Sequence, residues 1–171
     1  MARSASRPAL PMNKPYKRPE SVLVVIYTPA LEALIIERAD VRHAWQSVTG
    51  SLEADELPRD TALREVKEEV GLDAAPAQLQ DWGIVNEWEI YEVWRHRYAP
   101  GVLRNTEHVF GLLVPARFEP VLSEREHVQY QWRDWHAAAE AVFSPSNAEA
   151  LRLLPEMAEK FAIGLATQGN A

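Results

Sequence analysis

The stretch from Gly50 to Leu72 constrains the fold of this chain more than any other. Pro58 suits the first turn of a helix and Gly71 suits the left-handed position that ends one, so a helix is predicted over 58–70. At about 100° per residue, with Glu65 at zero, Leu63, Val66 and Val70 fall near 160°, 100° and 140°. Glu65, Glu69 and Glu68 fall near 0°, 40° and 300°, inside one arc of roughly 100°. The helix therefore has an apolar stripe that can pack on a sheet and a second stripe that concentrates three negative charges. Like charges one turn apart cost a helix a few tenths of a kcal/mol. Arg64 and Lys67 offset part of that, and a hard divalent cation offsets more, because Mg²⁺ takes carboxylate oxygens. From the helix alone, a solvated acidic face and a metal site both remain open.

The flanking segments supply a sheet. Ser21–Thr28 (SVLVVIYT) is a β-branched apolar run and reads as a buried strand. Leu31–Arg38 reads as a second strand in a hairpin with the first, although its Glu, Ala and Leu leave helix open. Trp45–Thr49 is a short strand ending at Gly50. Trp82–Glu92, Glu107–Val114 and Val128–Arg133 read as later strands. A basic loop, WRHRYAPGVLRN, joins the first two of these, with Pro100 and Gly101 as turn residues. Asp134–Phe143 and Ala148–Ala162 read as helices, with Ser144–Asn147 as turn and cap. Strands in the first two-thirds, with helices in the middle and at the C-terminal end, predict an α+β fold with a mixed sheet covered by helices.

Length and charge bound the rest. At 171 residues one domain is expected, large enough to bury roughly 70% of its unfolded surface without staples. The absence of cysteine excludes disulfides, thiolate catalysis and Cys-zinc or iron–sulfur sites, and it suits a reducing, cytoplasmic compartment. The longest apolar run, Val22–Tyr27, is far short of the ~18 residues of a membrane span. The net charge of −7 is uneven. Arg3, Arg7, Lys14, Lys17 and Arg18 give residues 1–18 a charge of +5, and 13 bases against 25 acids leave the remainder at −12. A domain so acidic is not expected to bind nucleic acid. Residues 1–15 are expected to form a flexible basic tail, with Met12 as an alternative start, and 166–171 a C-terminal tail around a domain spanning 16–165.

Gly50–Leu72 reads GSLEADELPRDTALREVKEEVGL. It resembles the Nudix box, G-x5-E-x7-R-E-U-x-E-E-x-G-U with U aliphatic, and meets every specified position. The resemblance implies an α/β/α sandwich with loop–helix–loop metal binding. It also implies hydrolysis of a diphosphate linkage with a divalent cation, Mg²⁺ or alternatively Mn²⁺. By similarity Glu65, Glu68 and Glu69 take metal positions, Arg64 holds a neighbouring carboxylate and Glu56 braces the loop. An anionic domain acting on an anionic polyphosphate is coherent when a cation stands between them.

Further segments resemble one Nudix subfamily, the bacterial enzymes that hydrolyse dihydroneopterin triphosphate in folate biosynthesis. They are YKRPESVLVVIY at 16–27, WQSVTGSLE at 45–53, HRYAPGVLRNTE at 96–107 and the EH-x3-W pattern at 126–132. Asp55, where that subfamily has glycine, is a departure at an unspecified box position.

The resemblance implies that Glu126 completes the metal ligands or accepts a proton from water, so the implied catalytic residues are Glu126, Glu68 and Arg64. From the residue alone, Glu126 reads as a surface acid. Lys17, Arg38 and Thr49 are implied substrate contacts, although each charge alone reads as solvated. Trp88, Glu89, Ile90 and Tyr91 offer aromatic faces and a carboxylate to a pterin ring, while alternation of Trp88 and Ile90 equally fits a strand with one buried face. Ser146 is read as either ligand or helix cap. His127 and Trp132 read as structural. The expected partner is a pterin or nucleoside triphosphate, with no nucleic acid and no membrane, and the oligomeric state stays open. Alternatives are a housecleaning nucleotide pyrophosphohydrolase acting on dATP or an oxidised nucleotide, and a noncatalytic nucleotide-sensing module.

Overall fold

The computed structural model describes the backbone of residues 15–168 and the side chains of 15–164. Most of the expected basic tail, residues 1–14, lies outside the described residues, as do residues 169–171. Seven strands form one mixed sheet: β1 (Glu20–Tyr27), β2 (Glu32–Arg38), β3 (Trp45–Gln46), β4 (Val48–Ser51), β5 (Leu79–Glu89), β6 (Arg104–Leu113) and β7 (His127–Asp134). The helices are α1 (Pro58–Val70), α2 (Trp135–Ala141) and α3 (Pro145–Gln168).

The apolar run of β1 is buried on both faces, and its period of two divides it between two cores. Leu23, Val25 and Tyr27 join Ala33 and Ile35 of β2 in a core with Ala138, Leu151 and Leu154 of α2 and α3. Val22, Val24 and Ile26 join Leu34 and Ile36 in a core with Ala62, Val66 and Val70 of α1. A strand covered on both sides reads as a continuous apolar run, and here α1 covers one face while α2 and α3 cover the other. The result is the expected α/β/α sandwich.

The hairpin of β1 and β2 is shorter than the expected pairing. The two strands share a single register pair, Tyr27 with Ala33, and then diverge. β1 continues parallel to β6 and antiparallel to β4, while β2 pairs with β7 and β3. The expected strand 45–49 divides at Ser47, whose backbone N–H donates to Asn147 Oδ1 at 2.8 Å. Asn147 Nδ2 donates in return to Ser47 Oγ at 2.8 Å. The sequence reading extended β5 to residue 92, but it ends at Glu89 and a 3-10 turn spans Glu92–Arg97. Asp134 caps α2 by accepting the His136 N–H, so that helix starts at 135. Ser144 accepts from the N–H of Asn147, so α3 starts at Pro145 rather than 148, and it runs to Gln168, past the expected boundary at 165.

Candidate active site

Pro58 opens α1 and Gly71 closes it at φ 72°, its N–H donating to Lys67 O at 3.0 Å. The acidic stripe of α1 divides on packing. Glu65 and Glu69 turn under β4 and are buried, whereas Glu68 keeps 55% of its side chain exposed. Gly50 makes that possible: a Cβ there would fall 2.0 Å from Glu65 Cδ. Glu69 Oε2 accepts from the N–H of Thr49 at 3.3 Å. The segment before β7 is stitched to the end of α1 by backbone bonds from Val121 N to Val70 O and from Ser123 N to Glu69 O. This sets Glu126 and His127 beside Glu69, with one ligand atom of each within 4.8 Å of the others. His127 Nε2 lies 3.2 Å from Glu69 Oε1.

Arg64 ties the acidic end together. Its Nε and Nη2 donate to the two oxygens of Glu56 at 2.7 and 2.9 Å. Nη1 donates to Glu65 Oε1 at 2.9 Å and to Glu68 Oε2 at 3.1 Å, and Nη2 also donates to Ser51 O at 3.1 Å. Glu56 further accepts from Thr61 Oγ1 and from the backbone of Glu53. Arg64 holds the Glu56 carboxyl down to about 2. This arginine orients carboxylates and is a positioning residue.

The buried pair behaves in the opposite way. Burial, and then the charge of Glu69, push Glu65 up to about 8 despite Arg64. Burial also raises Glu69, against the pull of His127. Two carboxylates driven toward neutrality in one recess suit a divalent cation, which reverses both shifts. The donors at this recess are mainly carboxylate oxygens, the hard ligands that magnesium-class ions take. Glu69, Glu126 and His127 each offer one ligand atom within 4.8 Å of the others, and Glu65 lies near enough to Glu69 to feel its charge.

These residues form one end of a cleft of about 1010 Å³. Lys17, Arg38, Arg97 and Arg125 also border it. Asp40 organises two of these cations: Arg38 grips it through Nε and Nη2, both at 2.8 Å, and Arg97 Nη2 reaches it at 3.1 Å. Those contacts, Arg38 first, hold Asp40 at about 2. Lys17 is lowered by desolvation between the cleft walls and by Arg97. The other end is aromatic. Tyr91 lies 6.1 Å from Trp88, 5.4 Å from Trp94 and 5.9 Å from Phe143, centroid to centroid. The Arg38 guanidinium lies 4.5 Å over the Trp94 ring.

The pattern described as the NUDIX domain matches residues 17–154. The chain belongs to the NUDIX family. It is 46% identical over 142 residues to the dihydroneopterin triphosphate diphosphatase of Escherichia coli (strain K12), covering 81% of this chain and 93% of that enzyme. It is 43% identical over 140 residues to the enzyme of the same name from Haemophilus influenzae, covering 80% and 87%. The solved structure of the E. coli dihydroneopterin triphosphate pyrophosphohydrolase superposes with a TM-score of 0.76 at 47% identity, covering 81% of this chain and 95% of that one. NUDIX hydrolases use a divalent metal, and this chain carries an acidic cluster of the kind that can hold one.

Of the residues singled out in the sequence, Lys17, Arg38, Thr49, Arg64, Glu65, Glu68, Glu69, Trp88, Ile90, Tyr91 and Glu126 border this NUDIX cleft. Three readings need correction. Glu89 is exposed, pairs with Arg95 at 2.6 Å and does not border the cleft, because Trp88 of β5 and Ile90 just past its end take the inward side. The hydroxyl of Thr49 donates to Val22 O at 2.8 Å, so its proton is not free for a ligand. Ser146 sits inside the first turn of α3 beside Glu107, and the cap is Ser144 rather than Ser146. The sequence reading missed Asp40, Trp94, Phe143, Gln46 and above all Glu107, which is buried and borders the cleft. The alternation Asn105, Glu107, Val109 carried the signal: an acid on the fully buried face of β6.

Proposed function

We propose that this NUDIX protein hydrolyses dihydroneopterin triphosphate to dihydroneopterin monophosphate and pyrophosphate, with Mg²⁺ as its ion. The observation that carries this reading is one cleft with an acidic end and an aromatic end, bordered by Lys17, Arg38, Arg97 and Arg125. The two diphosphatases at 46% and 43% identity support the choice of substrate.

Glu65, Glu69 and Glu126 hold the ion, which when bound neutralises phosphate oxygens and makes water a better nucleophile. Arg64 fixes Glu65 and Glu68, and Gly50 leaves Glu65 its space. Lys17, Arg38 and Arg97 meet phosphate charge along the cleft. Water oxygen bonds to phosphorus, one P–O bond of the α–β bridge breaks, and pyrophosphate leaves. Glu126, an exposed carboxylate beside Glu69, accepts the proton of the attacking water.

Phosphorus NMR of products formed from dihydroneopterin triphosphate and Mg²⁺ tests the reading. Pyrophosphate and a monoester are expected in equal amounts. Orthophosphate as the first product, or kcat/KM more than tenfold higher for dATP, overturns it.

A further inference from the structure

We propose that Glu107, with Gln46 beside the same cleft, selects bases that present a ring N–H next to an exocyclic amino group and a carbonyl. This is the edge of pterin and guanine, and the inference rests on the substrate class proposed above.

Glu107 lies in β6, in register between Ser21 of β1 and Asn86 of β5. It is 4% exposed, yet it borders the cleft at the aromatic end. Trp88 Nε1 donates to its Oε2 at a long 3.3 Å, and the side chains of Ser146 and Asn86 lie near the carboxyl, yet Oε1 has no hydrogen bond of good geometry among the described residues. Gln46 is 3% exposed and also borders the cleft. Its Oε1 accepts from Arg38 at 3.1 Å, and its Nε2 has no partner among the described residues. The cleft lining thus holds one unpaired carboxylate oxygen and one unpaired amide NH₂ among the described residues, and it carries rings that suit a flat heterocycle.

Buried polar groups in native proteins are nearly always paired, so an unpaired acceptor and an unpaired donor bordering one cleft call for a ligand that pairs them. A ring N–H and an adjacent amino group donate in parallel to the two oxygens of one carboxylate, and the neighbouring carbonyl accepts from an amide N–H. Adenine offers its amino group beside a ring nitrogen lone pair, and that lone pair faces the carboxylate unfavourably. Burial raises the Glu107 carboxyl, and the side chains of Ser146, Trp88 and Asn86 bring it only part of the way back. Two strong donors from a ligand favour the ionised form. Glu87 and Glu89, the acids on either side of Trp88, pair with Arg104 and Arg95, do not border the cleft and do not compete for this role.

The test compares Glu107→Gln with the unsubstituted protein on dihydroneopterin triphosphate, dGTP and dATP with Mg²⁺. The expected result is a loss of about tenfold or more in kcat/KM for the first two, mostly in KM, with dATP changed less than threefold. Quenching of dihydroneopterin fluorescence without metal gives a readout independent of turnover, and binding should weaken about tenfold or more. Equal losses on all three substrates mean that Glu107 is structural and overturn the proposal, as does an unchanged substrate ratio. Should Glu107→Gln fail to fold, Glu107→Asp and Gln46→Ala carry the same contrast. If the unsubstituted protein prefers dATP, the proposed function fails first. If it prefers the pterin and the variants keep that preference, only this inference fails.

Discussion

The two ends of the cleft are built in opposite ways. At the acidic end, Arg64 makes five hydrogen bonds to Glu56, Glu65, Glu68 and Ser51, and all of these residues lie between positions 50 and 72. At the aromatic end, Gln46, Trp88, Glu107 and Phe143 come from four distant parts of the chain, and Gln46 and Glu107 each keep a buried polar atom without a partner among the described residues. The first end lacks positive charge at Glu65 and Glu69, and its His127 meets Glu69 at 3.2 Å with neither ring nitrogen in a hydrogen bond among the described residues. The second is incomplete in hydrogen bonds. A cation completes one and a heterocycle the other, so substitutions should act differently at the two ends: on turnover and metal response at the first, on substrate affinity at the second.

The largest effect is expected at Glu69. Glu69→Gln keeps the volume and removes the charge that Glu126 and His127 converge on. Mg²⁺-dependent pyrophosphate release should fall about 10²-fold or more, with circular dichroism unchanged. Near-normal kcat would put the ion elsewhere.

Gly50→Ala is a more selective probe of the same end. The added methyl meets the carboxyl and Cγ of Glu65, a side chain and not backbone. The carboxyl can swing aside, so thermal stability should change little while half-saturating Mg²⁺ rises about 10- to 100-fold, as for a displaced ligand support. An unchanged Mg²⁺ titration would show that Glu65 does not help to hold the ion.

At the aromatic end the expected loss is in affinity. Trp88→Ala removes a ring and the N–H that reaches Glu107. KM should rise about tenfold, in the range of one lost stacking contact, with kcat within about threefold. A fall in kcat with KM unchanged would mean that the two ends are not separable.

The same contrast explains what could be read from sequence. Apart from Glu126 and His127, the acidic end is one contiguous helix and loop, so periodicity put Glu65 and Glu69 on one face and the likeness to the Nudix box marked Arg64 before any coordinates. The angles also held the difference between Glu68 and its neighbours: at 300° it lies farthest from Val66 and Val70, and it is the glutamate left outside. The run from Val22 to Tyr27 likewise announced a doubly covered strand. The aromatic end depends on which strands lie side by side. Ser47 and Asn147 bond across 100 positions, and Glu107 meets Trp88 only because β6 pairs with β5. Nothing local to any of those residues encodes the meeting.

Acidification should reveal the self-sufficiency of the acidic end. Glu56 has its carboxyl held at about 2, below its ordinary 4.5, chiefly by hydrogen bonds from Arg64. A depressed acid in the folded state contributes stability that is fully present above 4.5 and is lost as pH falls toward 2. Urea midpoints between pH 5 and pH 2 should therefore fall less steeply in Glu56→Gln than in the unsubstituted protein. Equal slopes would show that the pairing of Glu56 with Arg64 does not contribute to stability in solution.

The smallest effect belongs to Glu89, and it separates neighbours in sequence from neighbours in space. Glu89 lies between Trp88 and Ile90, both of which border the cleft, yet strand alternation turns it outward to Arg95. Exposed ion pairs contribute between about 0 and 1 kcal/mol. Glu89→Ala should therefore leave kcat/KM for dihydroneopterin triphosphate within about twofold, an energy change under about 0.5 kcal/mol. A loss as large as that of Glu107→Gln would place the base-reading carboxylate on β5. It would also require Glu89 to leave Arg95 and the strand to turn its other face to the cleft, which the buried Ile90 opposes.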